Sequence, residues 1–420
     1  MGEKMQKYKE KITNILQYII VITIIFECNS IYSQIYGCHL VIRAVTIITS
    51  ICCMLFLLIK NKAKINKKIL PLIMYDYICS AIMLLNTSSL NGKIVVILMF
   101  IIYLPIVIIY LDNLSKKEIH DLLKKFVNVI IILCIISLVF WFFSSIVKIL
   151  KPTNAIKVVW AKPYSIINSY LGLHFDTQEV WWITGSPLMR NTGIFVEGPM
   201  YAVVIMFALL ANNLVESTEK NKRWKKNIIL CITIISTMSI TGIICAAIIL
   251  SKNIIELFKN MNLKKKKIFI SILVIVCVLA LPVVTNLIIK KVNTSSASHR
   301  NLDLQIGIKR FFESPVIGKG INHERATELD YENGYGYSNT IIPVLTDGGI
   351  ILFNIYLIPA VLFGYRSIKE RKINYLILLI IYCIILFTTL IQYRMIMLMT
   401  IALMYVLSFN REFMEVEKSQ

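Results

Sequence analysis

Long apolar runs separated by short polar gaps make up most of the sequence. Crossing a bilayer as a helix takes about 20 apolar residues. Runs of suitable length lie near residues 15–31, 40–59, 69–85, 94–111, 126–149, 194–214, 268–289, 341–364 and 374–409. The pattern therefore predicts an all-α integral membrane protein, with residues 1–420 forming a single polytopic domain.

Two of these stretches do not fit a single straight helix. Residues 227–250 have lysines on both sides, so both ends favour the same face of the membrane. A reversal near Ser239 solves this, because the neighbouring serines, threonines and Gly242 can satisfy a turning backbone that lipid cannot. Residues 373–409 are too long for one span, and we expect a second reversal near Gln392 to Arg394. The total is then about twelve membrane helices.

Composition supports the membrane assignment. The 420 residues are 57% hydrophobic and only 16% charged, against roughly 25% charged in soluble domains. The net charge of +21 comes from lysines in the short gaps. Nucleic-acid binders instead concentrate cations on a solvated domain, so we expect no nucleic-acid partner.

The lysines also predict the topology. The gaps around 60–68, 116–125, 220–226 and 366–372 are basic, whereas 29–39 and 86–92 contain no Lys or Arg. The positive-inside rule places the first group and both termini in the cytoplasm. Two large external loops result, at about 150–193 and 291–340. Since the other external loops are short, these two are the candidates for function.

Charged residues at the membrane are candidates for chemistry, because a buried charge costs several kcal/mol unless it is paired or hydrated. Arg190 and Glu197 lie at the start of the run 194–214. They form either a mutual ion pair or parts of one site. Glu27 and Arg43, at the outer ends of adjacent spans, are predicted to form a structural pair. For Asp76, within the third span, a helix-packing hydrogen bond is favoured over a proton relay.

The external loops combine cations with aromatic side chains. This combination suits a phosphorylated, sugar-bearing lipid, because arginine chelates phosphate oxygens with a planar fork. For the tryptophans, an interfacial aromatic belt is an equally good interpretation. No zinc-ligand or phosphate-loop motif is present. The candidate binding residues are Lys162, Trp181, Trp182, Tyr337, Ser338 and Asn339, with Arg300 and His323 as further candidates for chemistry.

Several short motifs occur in a characteristic order over about 160 residues. They are Arg190-x-x-Gly193-x-Phe195-x-Glu197-x-Pro199, Ser239-x-Thr241-Gly242, Arg300 ahead of Phe311 to Gly320, and Ser338-Asn339 followed by Gly348-Gly349. Together they resemble the bacterial O-antigen polymerase and ligase superfamily, which includes the Wzy-type polysaccharide polymerases. The N-terminal half is similar only in hydropathy.

The resemblance implies a fold like that of C-type glycosyltransferases and a multi-pass location in the bacterial cytoplasmic membrane. It implies a polyprenyl-diphosphate-linked glycan as donor, used at the outer face without metal, nucleotide or other cofactor. Arg190 and Arg300 would bind the diphosphate, and Glu197 would orient an arginine or hold the acceptor hydroxyl. Expected partners are membrane lipid, a flippase and a chain-length regulator.

One departure from the superfamily pattern favours a polymerase. Ligases of the superfamily carry His-Asn where this chain has Ser338-Asn339, and that histidine handles the acceptor proton. Serine is a poor base, so His323 is the candidate general base here. Glycan transfer to another acceptor, as in a ligase, and transport of a lipid-linked oligosaccharide, as in a flippase, are the alternatives.

Overall fold

The computed structural model describes residues 2–159, 164–180, 187–214, 220–259, 262–263, 266, 295–321 and 337–410. The predicted span at 268–289 lies outside these residues. Within them the chain is mostly helical, and four helices are long and apolar enough to cross a membrane: His39–Lys60, Leu90–Asp112, Lys116–Ile146 and Ile341–Lys369. Shorter apolar helices accompany them. The fold is compatible with a helical membrane protein, and the count of about twelve spans stays a prediction.

The helices of the described residues follow the predicted apolar runs closely. They are α1 (Gly2–Glu27), α2 (His39–Lys60), α3 (Leu70–Asn86), α4 (Leu90–Asp112), α5 (Lys116–Ile146), α6 (Gly198–Leu214), α7 (Lys220–Ser236), α8 (Ile240–Lys259), α9 (Ser295–Glu313), α10 (Ile341–Lys369), α11 (Ile373–Thr388) and α12 (Met395–Phe409). Helix α6 is buried on nearly every side and packs against α5, α7, α8 and α11. It therefore forms the centre of the helical body.

The helices break at both places where a reversal is predicted. Helix α7 ends at Ser236 and α8 begins at Ile240, with Met238 in the left-handed region at φ 53°. The Ser239 hydroxyl accepts the Gly242 amide at 3.2 Å and so satisfies the start of α8. Helix α11 ends at Thr388 and α12 begins at Met395, so the residues between them interrupt the helix.

The first large loop departs from the all-α prediction because it contains β-structure. Strands β1 (Asn154–Val158), β2 (Ser165–Tyr170) and β3 (His174–Asp176) form an antiparallel sheet in that order. Strands β4 (Glu179–Val180) and β5 (Leu188–Met189) form a second pair. A loop that leaves a helical body must satisfy its backbone groups, and strand pairing does so without a further helix.

The second large loop also contains regular structure, because α9 lies within it and packs on α10. The connector after α9, residues 314–320, lies against a kink in α10. Lys319 and Gly320 of this connector donate backbone hydrogen bonds to the Thr346 and Asp347 carbonyls at 2.9 and 2.8 Å. The kink occurs at Gly349, where φ is 61°.

Glycines allow this close approach. A Cβ on Gly318 would lie 2.4 Å from the Asp347 backbone, and one on Gly349 would lie 2.3 Å from the Val316 carbonyl. These distances are shorter than van der Waals contact, and both glycines have positive φ. The two glycine motifs of the sequence therefore form one backbone-to-backbone junction.

An ion cluster around the fully buried carboxylate of Glu27 holds the two ends of the chain together. Arg43 contacts Glu27 at 2.9 Å, as predicted. Arg394, from the turn before α12, contacts the same carboxylate at 3.1 Å and also donates to Asn29. The Met395 amide donates to the second carboxylate oxygen at 2.9 Å. Glu27 therefore serves two arginines and a helix start, which is more than the predicted pair.

Asp76 does not make the predicted helix-packing hydrogen bond. It is fully buried, and neither carboxylate oxygen has a hydrogen-bond partner among the described residues. The hydroxyl of Ser80, one helical turn along α3, is also buried without a partner there. The helix-packing prediction was therefore wrong for the described residues.

Replacing Glu27 tests the ion cluster. Glu27→Ala leaves two arginines facing each other with no counter-charge, so we expect a loss of about 3–5 kcal/mol in stability. Asp121→Ala is the control, because Asp121 pairs with Lys124 at 3.5 Å on an exposed surface and should cost below about 1 kcal/mol. Thermal unfolding of both purified variants measures the difference, and equal losses would contradict a structural role for the cluster.

Alanine substitutions test the glycine junction. Gly318→Ala should lose about 2–5 kcal/mol, combining left-handed strain with overpacking against α10. Gly37 is a matched control, since its φ is 81° but a Cβ there meets nothing within 4 Å. Gly37→Ala should cost only the backbone strain, about 1–2 kcal/mol. If unfolding measurements give similar losses for both variants, close packing at Gly318 is not the cause.

Candidate functional site

The segment from Arg190 to Glu197, called the Arg190 segment below, leads into the central helix α6. Its residues are mostly buried, with Asn191, Thr192 and Phe195 completely so. It bridges to the loop after α1, because Ile31 donates to the Ile194 carbonyl and Val196 donates to the Asn29 carbonyl. The segment is therefore enclosed by the first external turn on one side and by helices on the other.

Polar contacts fix this segment against the α7–α8 reversal. The Asn191 amide donates to the Ser236 carbonyl at 3.0 Å, and the Asn191 side chain donates to the hydroxyls of Ser236 and Ser137 at 2.9 and 3.3 Å. A Cβ on Gly198 would lie 2.7 Å from the Thr237 carbonyl, so only glycine allows this approach. Arg190 is consequently held at a defined position beside the reversal.

The guanidinium of Arg190 is only partly satisfied. Its Nη1 donates to the side-chain oxygen of Gln178 at 2.9 Å, whereas its Nε is buried without a hydrogen-bond partner among the described residues. Burial lowers the pKa of Arg190 to about 10, and the charge of Glu197 acts in the opposite direction. Arg190 therefore stays cationic near neutral pH, with hydrogen-bonding capacity left for an anion.

The sheet beside this segment contains a second polar cluster. The Tyr170 hydroxyl donates to Asp176 at 2.6 Å, and Ser145 donates to the other carboxylate oxygen at 3.3 Å. His174 Nε2 lies 3.6 Å from the same carboxylate. Burial, followed by the hydrogen bond to Asp176, raises the pKa of Tyr170 above its usual range. His174 is completely buried, so this cluster is part of the interior of the loop.

Strand β3 connects this cluster to the Arg190 segment. The Phe175 amide donates to the Gly193 carbonyl at 3.0 Å, and the Thr192 hydroxyl donates to the Phe175 carbonyl at 2.6 Å. The Arg190 amide donates to the Gln178 carbonyl at 3.0 Å. The described residues of the first large loop thus form one hydrogen-bonded unit with Arg190 at its edge.

The other predicted residues fall in different places. Glu197 is half-buried at the start of α6, and its charge acts on Arg190. Arg300 is exposed on α9, a helix that packs on α10. The structure therefore joins Arg190 with Glu197 and places Arg300 on a separate element. Lys162, Trp181, Trp182 and His323 lie outside the described residues.

The residues before α10 form a half-buried lead-in. Tyr337, Ser338 and Asn339 are all half-buried, and the Asn339 side chain accepts the Ile342 amide at 2.9 Å. This contact caps the first turn of α10. The next residue, Thr340, donates from its hydroxyl to the Thr389 carbonyl, so the lead-in is fixed to the turn before α12.

Sequence patterns did not identify two important residues. Gln178, twelve positions before Arg190 in the chain, accepts a hydrogen bond from its guanidinium. A neutral glutamine in a polar loop gives no sequence pattern by which this role could be recognised. Arg394 contacts Glu27 from the opposite end of the chain. Its position beside a predicted reversal at the membrane was a usable signal, because an arginine there needs a partner.

The described residues contain no group of three or more His, Cys, Asp or Glu side chains arranged to hold a metal ion. Comparison with known proteins adds no assignment: no protein-family model and no curated protein matches the chain.

Asn191 provides a test of how the Arg190 segment is held. Asn191→Ala removes the side-chain bonds to Ser137 and Ser236 and leaves buried hydroxyls without that partner, so stability should fall by about 1–3 kcal/mol. Asn301 is exposed on α9, and Asn301→Ala should change stability by less than about 0.5 kcal/mol. Thermal unfolding of the two variants gives the comparison. Unchanged unfolding of Asn191→Ala would show that these bonds do not anchor the segment.

Proposed function

We propose that this protein polymerises polyprenyl-diphosphate-linked oligosaccharide repeats at the outer face of the bacterial cytoplasmic membrane. The observation that carries the proposal is Arg190, a cation held in a largely buried place, whose Nε has no hydrogen-bond partner in the described part of the chain. A fixed guanidinium in a dry site stabilises negative charge far better than one in water. The products would be capsular, O-antigen or exopolysaccharide chains.

The proposed reaction is an inverting glycosyl transfer. A hydroxyl of the incoming repeat attacks the anomeric carbon of the growing chain, and the bond from that carbon to the diphosphate oxygen breaks. The bonding electrons leave with the diphosphate, and the hydroxyl proton passes to a base. The growing chain is thereby joined to the sugar of the incoming repeat, which stays attached to its own lipid, and the polyprenyl diphosphate of the donor is released.

Arg190 would stabilise the departing diphosphate, since charge collects on that group as the bond breaks. Gln178 holds the guanidinium from one side at 2.9 Å. Glu197 would keep Arg190 oriented or accept a hydrogen bond from the acceptor hydroxyl. Arg300, exposed on α9, would contribute a second phosphate contact once the lipid-linked substrate is bound.

The proton acceptor in this proposal is His323, from the loop that follows α9. Ser338 occupies the position where ligases of the superfamily carry histidine, and serine is a poor base. His174 is less suitable because it is completely buried beside Asp176. The absence of histidine at position 338 is the reason for preferring a polymerase over a ligase.

The arrangement of the motif segments supports the proposal. The Arg190 segment contacts the α7–α8 reversal through Asn191 and Ser236. The connector around Gly318 contacts the kink at Gly349. Segments that are distant in sequence thus meet in two groups, one of which contains Arg190.

A transport function has one observation in its favour. Asp76 is a buried acid without a hydrogen-bond partner among the described residues, and such groups in membrane helices often carry protons or ions. A lipid-linked oligosaccharide flippase is therefore the second candidate. It accounts for Asp76 but gives no role to Arg190 and Glu197.

Substitution of the arginines in the producing strain tests the proposal. Arg190→Lys and Arg190→Ala should reduce polymer formation roughly 10²-fold or more, because a lysine cannot reproduce the planar fork. Arg300→Ala should also shorten the chains. Lys309→Ala is the control, because Lys309 is an exposed cation on the same helix as Arg300. Gel analysis of polysaccharide chain length measures the effect, and unfolding measurements confirm that each variant is folded.

The intermediates that accumulate distinguish the candidates. A polymerase defect leaves single lipid-linked repeats at the outer face, whereas a ligase defect leaves long lipid-linked chains. A flippase defect retains single repeats at the cytoplasmic face. A normal chain-length ladder in folded variants of both Arg190 and Arg300 would refute the polymerase assignment.

A further inference from the structure

Asp76 is a buried acid of α3 that the proposed glycosyl transfer does not use. Its side chain is completely buried, and neither carboxylate oxygen has a hydrogen-bond partner among the described residues. The ion pairs of the described part of the chain do not include it. A carboxylate removed from water without a partner or counter-charge is so unfavourable that the group takes up a proton instead. We therefore expect Asp76 to be held as the neutral acid.

The titratable groups on the helices that pack against α3 have partners of their own. The residue before Asp76, Tyr75, donates to a backbone carbonyl of α10 at 2.8 Å. Tyr356 of α10, which lies within electrostatic range of Asp76, donates to a carbonyl of the turn before α12. Tyr103 of α4 donates to the first residue of α12 at 3.5 Å, and Asp347 of α10 accepts a tyrosine hydroxyl at 2.7 Å. These contacts leave the proton of Asp76 as its own means of neutralisation.

The helix that carries Asp76 packs against two irregular helices. Residues Val96–Tyr103 of α4 are wound as a π-helix, and α10 is kinked at Gly349. Both helices pack on α3, and the Tyr75 hydroxyl contacts α10 two residues beyond the kink. Segments of π-helix and interrupted membrane helices recur at functional and ion-binding sites. The surroundings of Asp76 thus favour a binding site over inert packing.

Ser80 gives Asp76 a route toward the outer end of α3. It lies four residues further along the helix and therefore on the same face. Its hydroxyl is buried and has no hydrogen-bond partner among the described residues, whereas the thiol of Cys79 lies 3.9 Å from a methionine sulfur. A hydroxyl can accept one proton while it donates another. Helix α3 ends at Asn86, which starts the gap that the lysine pattern places outside. Ser80 is thus positioned between the acid and the outer face.

We propose that Asp76 is a proton-binding site whose proton exchanges with the outer face through the Ser80 hydroxyl. Ionisable residues inside membrane helices are commonly parts of proton pathways. The described residues offer two carboxylate oxygens and one hydroxyl, which are too few for a hard cation such as Ca²⁺ with its roughly six to eight oxygen ligands. The site goes beyond the glycosyl transfer and does not rest on it, because no residue of the Arg190 segment takes part.

Labelling of the purified full-length protein with dicyclohexylcarbodiimide tests whether Asp76 carries a proton. The carboxyl proton passes to a carbodiimide nitrogen while the carboxyl oxygen bonds to the central carbon, so an ionised carboxylate does not react in this way. Glu27 is the internal control, because it is equally buried but paired with two arginines. At neutral pH, peptide mass spectrometry should find at least about tenfold more adduct on Asp76 than on Glu27. Equal labelling, no labelling of Asp76, or protection of Asp76 by added Na⁺ would overturn the proposal.

Infrared spectroscopy in D₂O tests the exchange. The unaltered protein should show the carbonyl stretch of a protonated carboxyl, which shifts on deuteration and is missing from Asp76→Asn. Ser80→Ala should keep this band but slow its deuteration several-fold. Ser367→Ala is the matched control, because its buried hydroxyl donates within α10 at 2.7 Å, and it should exchange at the normal rate. An unchanged rate in Ser80→Ala would refute the route. A missing band together with an unfolded Asp76→Asn variant would indicate a paired carboxylate and refute the site.

Discussion

The buried carboxylate of Glu27 is the interaction on which the helical body depends. A charge in this position is tolerated only because Arg43 and Arg394 surround it and the Met395 amide satisfies its second oxygen. Arg394 lies in the turn before α12. The hydroxyl of the adjacent Tyr393 donates to the Asp347 carboxylate of α10 at 2.7 Å. One carboxylate thus joins the N-terminal hairpin to the C-terminal helices and, through Asp347, to the junction at Gly318.

The same constraint explains the surroundings of Arg190. Lipid offers no hydrogen bonds, so a buried polar segment needs internal partners. Asn191 obtains them from Ser137 and Ser236, while the backbone pairs with β3 and with the turn after α1. The guanidinium Nε is a buried donor without a hydrogen-bond partner among the described residues. The rigid surroundings keep Arg190 in place, and its incomplete satisfaction leaves it available to bind an anion.

Much of the helical architecture was predictable from the sequence. A membrane span requires a long apolar run, and lysines in the flanking gaps favour one face of the membrane. The reversal near Ser239 followed from lysines on both sides of one apolar run, and the Glu27–Arg43 pair followed from two charges at adjacent helix ends. The strands of the first loop, the helix within the second and the isolation of Asp76 were not predictable. Each depends on which distant surfaces pack against a segment, and local composition carries no such information.

Hydropathy and lysine placement located most of the helices and the places where they break, since a lipid-facing helix must be apolar over its whole length and a turn must carry its own polar groups. The sequence also identified Arg190, Glu197 and Arg300 as candidate functional residues, because a charge at the membrane is costly unless it is paired or hydrated. Tertiary structure alone decided their partners: Gln178 for Arg190, Arg394 for Glu27, and a separate helix for Arg300. These pairings link residues up to 367 positions apart, and only the packing of the helices brings such residues within hydrogen-bonding distance.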